Sequence, residues 1–376
     1  MKWEKVKLGN VTDSCLGKML DQNKNKGDYQ PYLANVNVRW GEFDLEDLPL
    51  MKFEESEQER YELKYGDLVI CEGGEPGRCA IWKEQIPNMK IQKALHRVRV
   101  HDCLDYRYLF YWFLLAGKTG ELDQYFTGAT IKHMPGQKLK EVVIDKPPLE
   151  IQHRIADILS AYDDLIENNQ KQIKLLKEAA QRLYKEWFVD LHFPGHENTK
   201  IVDGVPEGWR RGLLKELISV NYGKDHKKVA DDGNIPVYGS GGLMRKCNKS
   251  LFSGEAVLIP RKGSLNNIMY VDETFWTVDT MFYATMKQPH TAVFVYFFVK
   301  AFDMYSMNIG AAVPSMTTKI LDAMDVVIPD KETLEKFDKY AKVYFNKIKT
   351  LQGQNEQLKT ARDLLLPKLM SGEVEV

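Results

Sequence analysis

Basic and polar residues interleaved with aromatics recur in glycine-marked loops in both halves of this 376-residue chain. In the first half they are Lys24, Lys26 and Tyr29 in "KNKGDYQPY", Arg78 in "GGEPGR", Lys90, Lys93, His96 and Arg97 in "KIQKALHR", and Lys132 and His133 in "IKHMPGQK". In the second half they are Tyr222, Lys224, His226, Lys227 and Lys228 in "NYGKDHKKVA", Tyr238 and Ser240 in "YGSGG", and Arg245, Lys246 and Lys249 in "RKCNK". Arg261, Lys262, Ser264, Asn266 and Asn267 follow in "PRKGSLNN". Lysine and arginine neutralise phosphates, arginine forks onto guanine edges, and asparagine or glutamine pairs with adenine. Taken singly, each such residue is ordinarily a solvated turn. As a set, they imply at least one basic loop per half that touches DNA.

Motifs for bond-breaking chemistry are not found. Gly117-Lys118-Thr119 is the tail of a phosphate-binding loop, but that pattern needs glycine five residues earlier, where Trp112 stands. His192 and His196 are four apart, yet Pro194 and Gly195 forbid the helix that would bring them onto one metal. "YGSGG" lacks the strand–loop–helix frame of a dinucleotide site, and a flexible loop is its default reading. No Gly-x-Ser-x-Gly, HExxH, poised carboxylate pair or methyltransferase fingerprint appears. Catalytic and metal-ligating residues are therefore not assigned.

Composition sets the remaining bounds. Hydrophobic residues make up 44% and charged residues 28%, enough for a sizeable core. A net charge of −1 excludes a protein that grips nucleic acid by bulk charge, so local patches or a partner must supply it. The acidic stretch "GEFDLEDLPLMKFEESEQERYE" is expected to face solvent or another protein. Five scattered cysteines without a CxxC argue for free thiols. No apolar run is long enough to span a bilayer, which implies a cytoplasmic protein without a membrane partner.

The elements that must position these loops occur twice. "WEKVKLGNV" is answered by "WRRGLLKELISV", "YGDLVICEGGEPGRCAIW" by "FSGEAVLIPRKGSLNNIMYV", and "YRYLFYWFLLAG" by "TAVFVYFFVKAF". "TGATIKHM", "KEVVIDKPPLEIQ" and "LLKEAAQRL" are answered in the same order by "IGAAVPSM", "MDVVIPDKETLEK" and "QLKTARDLL". Apolar run, glycine turn, apolar run reads as strand–turn–strand. The fold class is α+β: two globular domains in internal repeat, each followed by a long helix.

Both helices carry a heptad seam. The first runs through Leu159, Tyr162, Ile166, Asn169, Ile173, Leu176, Ala180, Leu183 and Trp187. The second runs through Leu334, Phe337, Ala341, Tyr344, Ile348, Leu351, Asn355 and Leu358, then Arg362 and Leu365. One polar asparagine per seam fits a register pin. The seams imply an antiparallel coiled coil with pseudo-twofold symmetry. The expected divisions are a first domain over 1–146, a helix over 147–190, a linker over 191–208, a second domain over 209–328, and a helix and tail over 329–376.

With "PPLEIQHRIADIL", "NNQKQIKLLKEAAQRLYKEWF", "LKTARDLLLPKLMSGEVEV", "GATIKHM" and "IPRKGS" in view, the whole chain resembles the specificity subunit of type I restriction–modification systems. The resemblance implies two target-recognition domains, each reading half of a bipartite double-stranded DNA site, with the helices setting the spacer. It further implies docking of two modification subunits, which carry S-adenosylmethionine and methylate adenine N6, and of restriction subunits that translocate DNA with ATP and Mg. By it, this chain holds no cofactor and no catalytic residue. The competing readings are a standalone DNA-modifying enzyme with an unrecognised centre and a coiled-coil scaffold.

Overall fold

The computed structural model describes residues 3–21, 25–227, 229–307 and 315–376. The chain forms two compact units, Met1–Asn169 with Gln354–Val376, and Gln170–Gly353. The sequence divides the chain at 146 and 328, but neither unit stops there. Each takes half of both long helices, because its core is incomplete without them.

In the first unit, strand Glu4–Lys7 pairs antiparallel with Val143–Lys146, tying the beginning of the domain to its end. An antiparallel sheet runs in the order Thr12–Leu16, Leu95–Val100, Leu68–Cys71, Cys79–Ile81. A second sheet has Asp28–Leu33 between Leu50–Phe53, antiparallel, and Lys90–Ile91, parallel. Leu68–Cys71 is apolar throughout and wholly buried, so it occupies the centre. Helix Tyr106–Thr119 starts where the Asp105 carboxylate accepts the Arg107 and Tyr108 amides, and stops at left-handed Gly120. It packs on the sheet together with Ile155 and Leu159 of the first long helix and Leu366, Leu369 and Met370 of the second.

The second unit repeats the plan. Arg210–Leu213 pairs with Asp325–Ile328, and a six-stranded sheet is covered by the buried helix Ala292–Lys300. Ala180, Tyr184 and Trp187 of the first long helix and Leu334, Phe337 and Ala341 of the second complete that core. The stretch 191–208 is no loose linker, since Phe193 is buried in this core beside Trp209 and Ile201–Val202 forms a small hairpin with Val205–Pro206.

The long helices span Leu149–Phe188 and Lys331–Ser371. Within the first unit Asp163 meets Arg362 and Asn169 meets Asn355; within the second, Tyr184 and Trp187 meet Phe337. In the first unit one number rises as the other falls, so its two segments run antiparallel. Of the seam residues, Leu159, Ile166, Asn169, Leu334, Phe337, Ile348, Leu351 and Asn355 are buried. Tyr162, Ile173, Leu176, Leu183, Tyr344 and Leu358 are half-buried.

Most acids of the acidic stretch face solvent as expected, Glu42, Asp44, Glu46, Asp47, Glu54, Glu55 and Glu59 being exposed, but two do not. Glu57 and Glu62 turn inward to pair with Lys18 (2.5 Å) and Lys90 (2.8 Å), both lysines being buried, and the Glu59 carbonyl accepts from Arg97. The two buried ammonium groups hold these acids inward, because an unpaired buried charge is the costlier state.

Two predictions follow from the helices. The Asn169 amide donates to the Asn355 side-chain oxygen at 2.8 Å in a buried site. Asn169→Leu alone strands the Asn355 amide and lowers stability by about 1–3 kcal/mol, whereas Asn169→Leu with Asn355→Leu restores it; urea unfolding of the three proteins checks this. Asp330 begins the second long helix. Burial opposes its ionisation, but hydrogen bonds from the Thr333 amide and hydroxyl and the Trp209 indole outweigh burial and hold its carboxyl below the usual range. Its stabilisation is complete above the ordinary aspartate value of about 3.9 and is lost as pH falls through the lower native value. The gap in urea midpoint between wild type and Asp330→Asn is therefore expected to shrink between pH 7 and pH 3.

Candidate nucleic-acid interface

Four segments come together in each unit, in the same way. The first is a Gly-Lys pair after the second strand. At Gly17 a Cβ would lie 2.4 Å from the Gln92 carbonyl oxygen, and at Gly223 one would lie 2.0 Å from that of Val278, so only glycine fits either approach. The following amides, Lys18 and Lys224, donate to Ile91 and Thr277. The second segment is the end of a strand paired in parallel with the chain just contacted, Tyr32–Leu33 on Lys90–Ile91 and Val237–Tyr238 on Trp276–Thr277. The third is a turn with a left-handed glycine, Gly74 or Gly263, seated on Asn35 or Ser240. The fourth closes that turn by a backbone bridge, Gly73 to His133 and Lys262 to Ser315.

In the second unit this frame gathers several of the candidates. Arg261 lies over the Tyr222 ring at 5.6 Å and donates one Nη to the Asp279 carbonyl at 3.2 Å. Tyr222 is 54% exposed. Lys262 and Ser264 are exposed on the same turn, and Ser240 lies beneath it, its carbonyl accepting from the Asn267 amide. Tyr305, missed in the sequence because it sits in a stretch of ordinary polarity, donates to the Gly263 carbonyl. Lys224, Lys227 and Lys246 are exposed.

Two candidates of this unit are corrected. Arg245 is committed internally, to the His226, Val229 and Lys246 carbonyls, and fastens the 223–229 loop to its strand. The Tyr238 hydroxyl donates to Glu273 at 2.5 Å; burial first, then the adjacent carboxylate, raises its pKa, so it stays a committed donor.

In the first unit the two candidate arginines are spent. Arg97 is only 8% exposed and donates to the Glu59 carbonyl; Arg78 is held by Asn35 and Glu75. Neither reaches outward, which corrects both assignments. His96 is buried with its ring on the Met134 carbonyl, and desolvation lowers its pKa despite that hydrogen bond. Lys26, Lys93, Lys132 and His133 are exposed, with Lys132 near Asp123 and over Phe126. Tyr29 is 65% exposed, with Lys52 stacked over it at 5.1 Å, and Lys52 had no sequence signal beyond its charge. Beside this turn lies a cleft of about 580 Å³ lined by Trp40, Glu75, Phe126, Thr130 and Ile131 among others. Lys24, Lys228 and the glycine of "IGAAVPSM" fall outside the described residues.

The decoy motifs have structural employment. Gly117-Lys118-Thr119 ends a helix, and Lys118 pairs with Asp363 at 2.5 Å. The His192 and His196 rings are 5.1 Å apart, and no group of three or more metal-ligating side chains is present among the described residues. Among them, no helix is long and apolar enough to cross a membrane.

The arrangement offers exposed cations, stacked aromatics and donor-bearing turns, which suits contact with a polyanion of flat bases. Comparison with known proteins agrees. The family model for the type I restriction modification DNA specificity domain matches residues 1–178 and 206–360. The chain is 26% identical over 352 residues to the type I restriction enzyme MjaIX specificity subunit of Methanocaldococcus jannaschii, covering 83% of this chain and 78% of that one. It is 25% identical over 410 residues to the MjaVIII specificity subunit of the same organism, covering 100% and 93%. Its fold matches the crystal structure of a type I restriction–modification S subunit from M. genitalium, with a TM-score of 0.59 and 18% identity, over 98% of this chain and 96% of that one. With both halves matched, the chain belongs to the type I restriction–modification DNA-specificity family, as a non-catalytic subunit that recognises DNA and acts with other subunits.

Proposed function

We propose that each unit reads one half of a bipartite, asymmetric double-stranded DNA site, and that the long helices set the unread spacer between the halves. The observation that carries this is one frame used twice with different side chains. Glu72, Gly73, Asn35 and His133 in the first unit stand where Arg261, Lys262, Ser240 and Ser315 stand in the second. A shared scaffold with unlike reading groups implies unlike half-sites.

The partners in this reading are two modification subunits docked on the helices, joined by restriction subunits. S-adenosylmethionine, ATP and Mg belong to those partners, and this chain holds none of them. The complex works in the cytoplasm. Docking is supported by large apolar side chains left exposed on the long helices, Ile158 and Leu165 in the first unit and Leu175, Tyr340 and Val343 in the second. Such side chains gain from burial against a partner.

The test selects duplexes from a randomised pool with the full chain bound to its modification subunits. Two different short half-sites at a fixed separation are expected, with binding that weakens steeply with salt. The chain alone, given labelled S-adenosylmethionine and DNA, is expected to transfer no methyl groups; transfer would replace this reading with that of a standalone enzyme. For the spacer, one heptad inserted into each long helix adds about 10.5 Å. At 3.4 Å per base step this lengthens the unread gap by about three base pairs with both half-sites unchanged. Altered half-sites at constant spacing would contradict it.

A further inference from the structure

We propose that Arg261 determines specificity in the second unit by forking onto one guanine of that unit's half-site; this rests on the DNA-reading function above. Of the four arginines in the candidate loops, three are committed. Arg97 is buried, Arg78 is bound to Asn35 and Glu75, and Arg245 is bound to three carbonyls. Arg261 combines donors to spare with exposure: among the described residues only one Nη has an acceptor, the Asp279 carbonyl, and the side chain is half-buried, whereas the unpartnered Nε atoms of Arg97 and Arg78 are buried.

Its position is fixed from several sides. The Arg261 and Lys262 amides both donate to the Thr280 carbonyl, and the Arg261 carbonyl accepts from the Met316 amide. The guanidinium lies over Tyr222, whose ring is itself held edge-on by Phe282 at 5.0 Å. A guanidinium held over an aromatic ring and by a carbonyl loses less freedom when it binds, and its planar fork matches the O6 and N7 acceptors of guanine in the major groove. A lysine here would supply the charge without the fork. The neighbouring Lys262 is such a point charge, exposed and suited to a phosphate. Glu72 occupies the matching position in the first unit, so a guanine read by this route belongs to one half-site only.

The experiment compares wild type, Arg261→Lys, Arg261→Ala and Lys262→Ala, each as the full chain with its modification subunits, by selection from a randomised duplex pool. Both Arg261 variants are expected to lose discrimination at one guanine by about tenfold or more, while the other half-site keeps its consensus. That retained half-site also reports that the variant is folded. Lys262→Ala is expected to bind every sequence more weakly, with a shallower salt dependence and an unchanged consensus. If Arg261→Lys keeps the full consensus, or Arg261→Ala weakens all sequences alike, Arg261 contacts phosphate and the inference is overturned. If wild type itself yields no consensus, the DNA-reading function fails and the inference falls with it.

Discussion

Neither unit of this protein closes its core with its sheets alone, and the long helices exist structurally because of that. In the second unit Tyr184, Trp187 and Phe337 interlock with Phe188, Phe294 and Phe297 through ring contacts between 4.8 and 6.3 Å. In the first, Ile155, Leu159, Leu366 and Leu369 cover the helix and sheet. Burying one such side chain is worth about 1.5–3 kcal/mol, so removing either helix would expose the interior of a unit. Helices that serve as walls must also hold register. A slide by one heptad would part Asn169 from Asn355 and break the hydrogen bond between their buried amides, at about 1–3 kcal/mol. The apolar seam supplies adhesion and the asparagine pair supplies alignment.

Charged groups add orientation more than adhesion. In the first unit Asp163 takes hydrogen bonds from Arg362 and from the Tyr111 hydroxyl, and Arg362 also meets Asp363, which binds Lys118. Burial and the Asp163 charge push the Tyr111 phenol pKa up, so it remains a donor. The second unit uses other residues for the same end. Lys342 bridges Asp338 and Glu255, Tyr270 donates to Glu255, and His290 meets Asp338. Partly buried pairs of this kind gain little net stability once desolvation is counted. The Arg362–Asp163, Tyr111–Asp163, Lys118–Asp363, Lys342–Glu255 and His290–Asp338 pairs nevertheless each tie a long helix to a particular strand, loop or helix of its unit, which apolar contact alone does not specify.

The sequence made the scaffold legible and most of the site illegible, for different reasons. Heptad seams and the 182-residue repeat are long-range regularities, and Leu176 and Leu358 are separated by that offset. The Gly-Lys pairs were hidden because the offset drifts: 223 − 17 is 206, whereas 315 − 133 is 182. The first unit carries extra residues between its matching points. From Asn35 to Gly74 is 39 positions, against 23 from Ser240 to Gly263, and the acidic stretch lies in that excess. At the site, sequence shows a cation but not its neighbours. Arg245 and Arg261 look alike in a string of letters; one is saturated by carbonyls and the other lies on an exposed ring.

The acidic insertion also explains how a chain of net charge −1 can be a DNA reader. Lys18 and Lys224 occupy matching positions, but Lys18 is buried against Glu57 while Lys224 is exposed. Lys90 is spent on Glu62 and Arg97 on the Glu59 carbonyl. The insertion therefore converts basic residues of the first unit into internal fasteners and supplies Lys52, which lies over the exposed Tyr29 ring. The second unit has no such insertion and keeps its turn basic through Arg261 and Lys262. In the proposed reading, the two units divide the labour by chemistry. The second contributes phosphate attraction and a guanidinium fork. The first contributes lysines, Lys26, Lys93 and Lys132, without an arginine fork, and so offers phosphate attraction and polar contact rather than a guanidinium on a base.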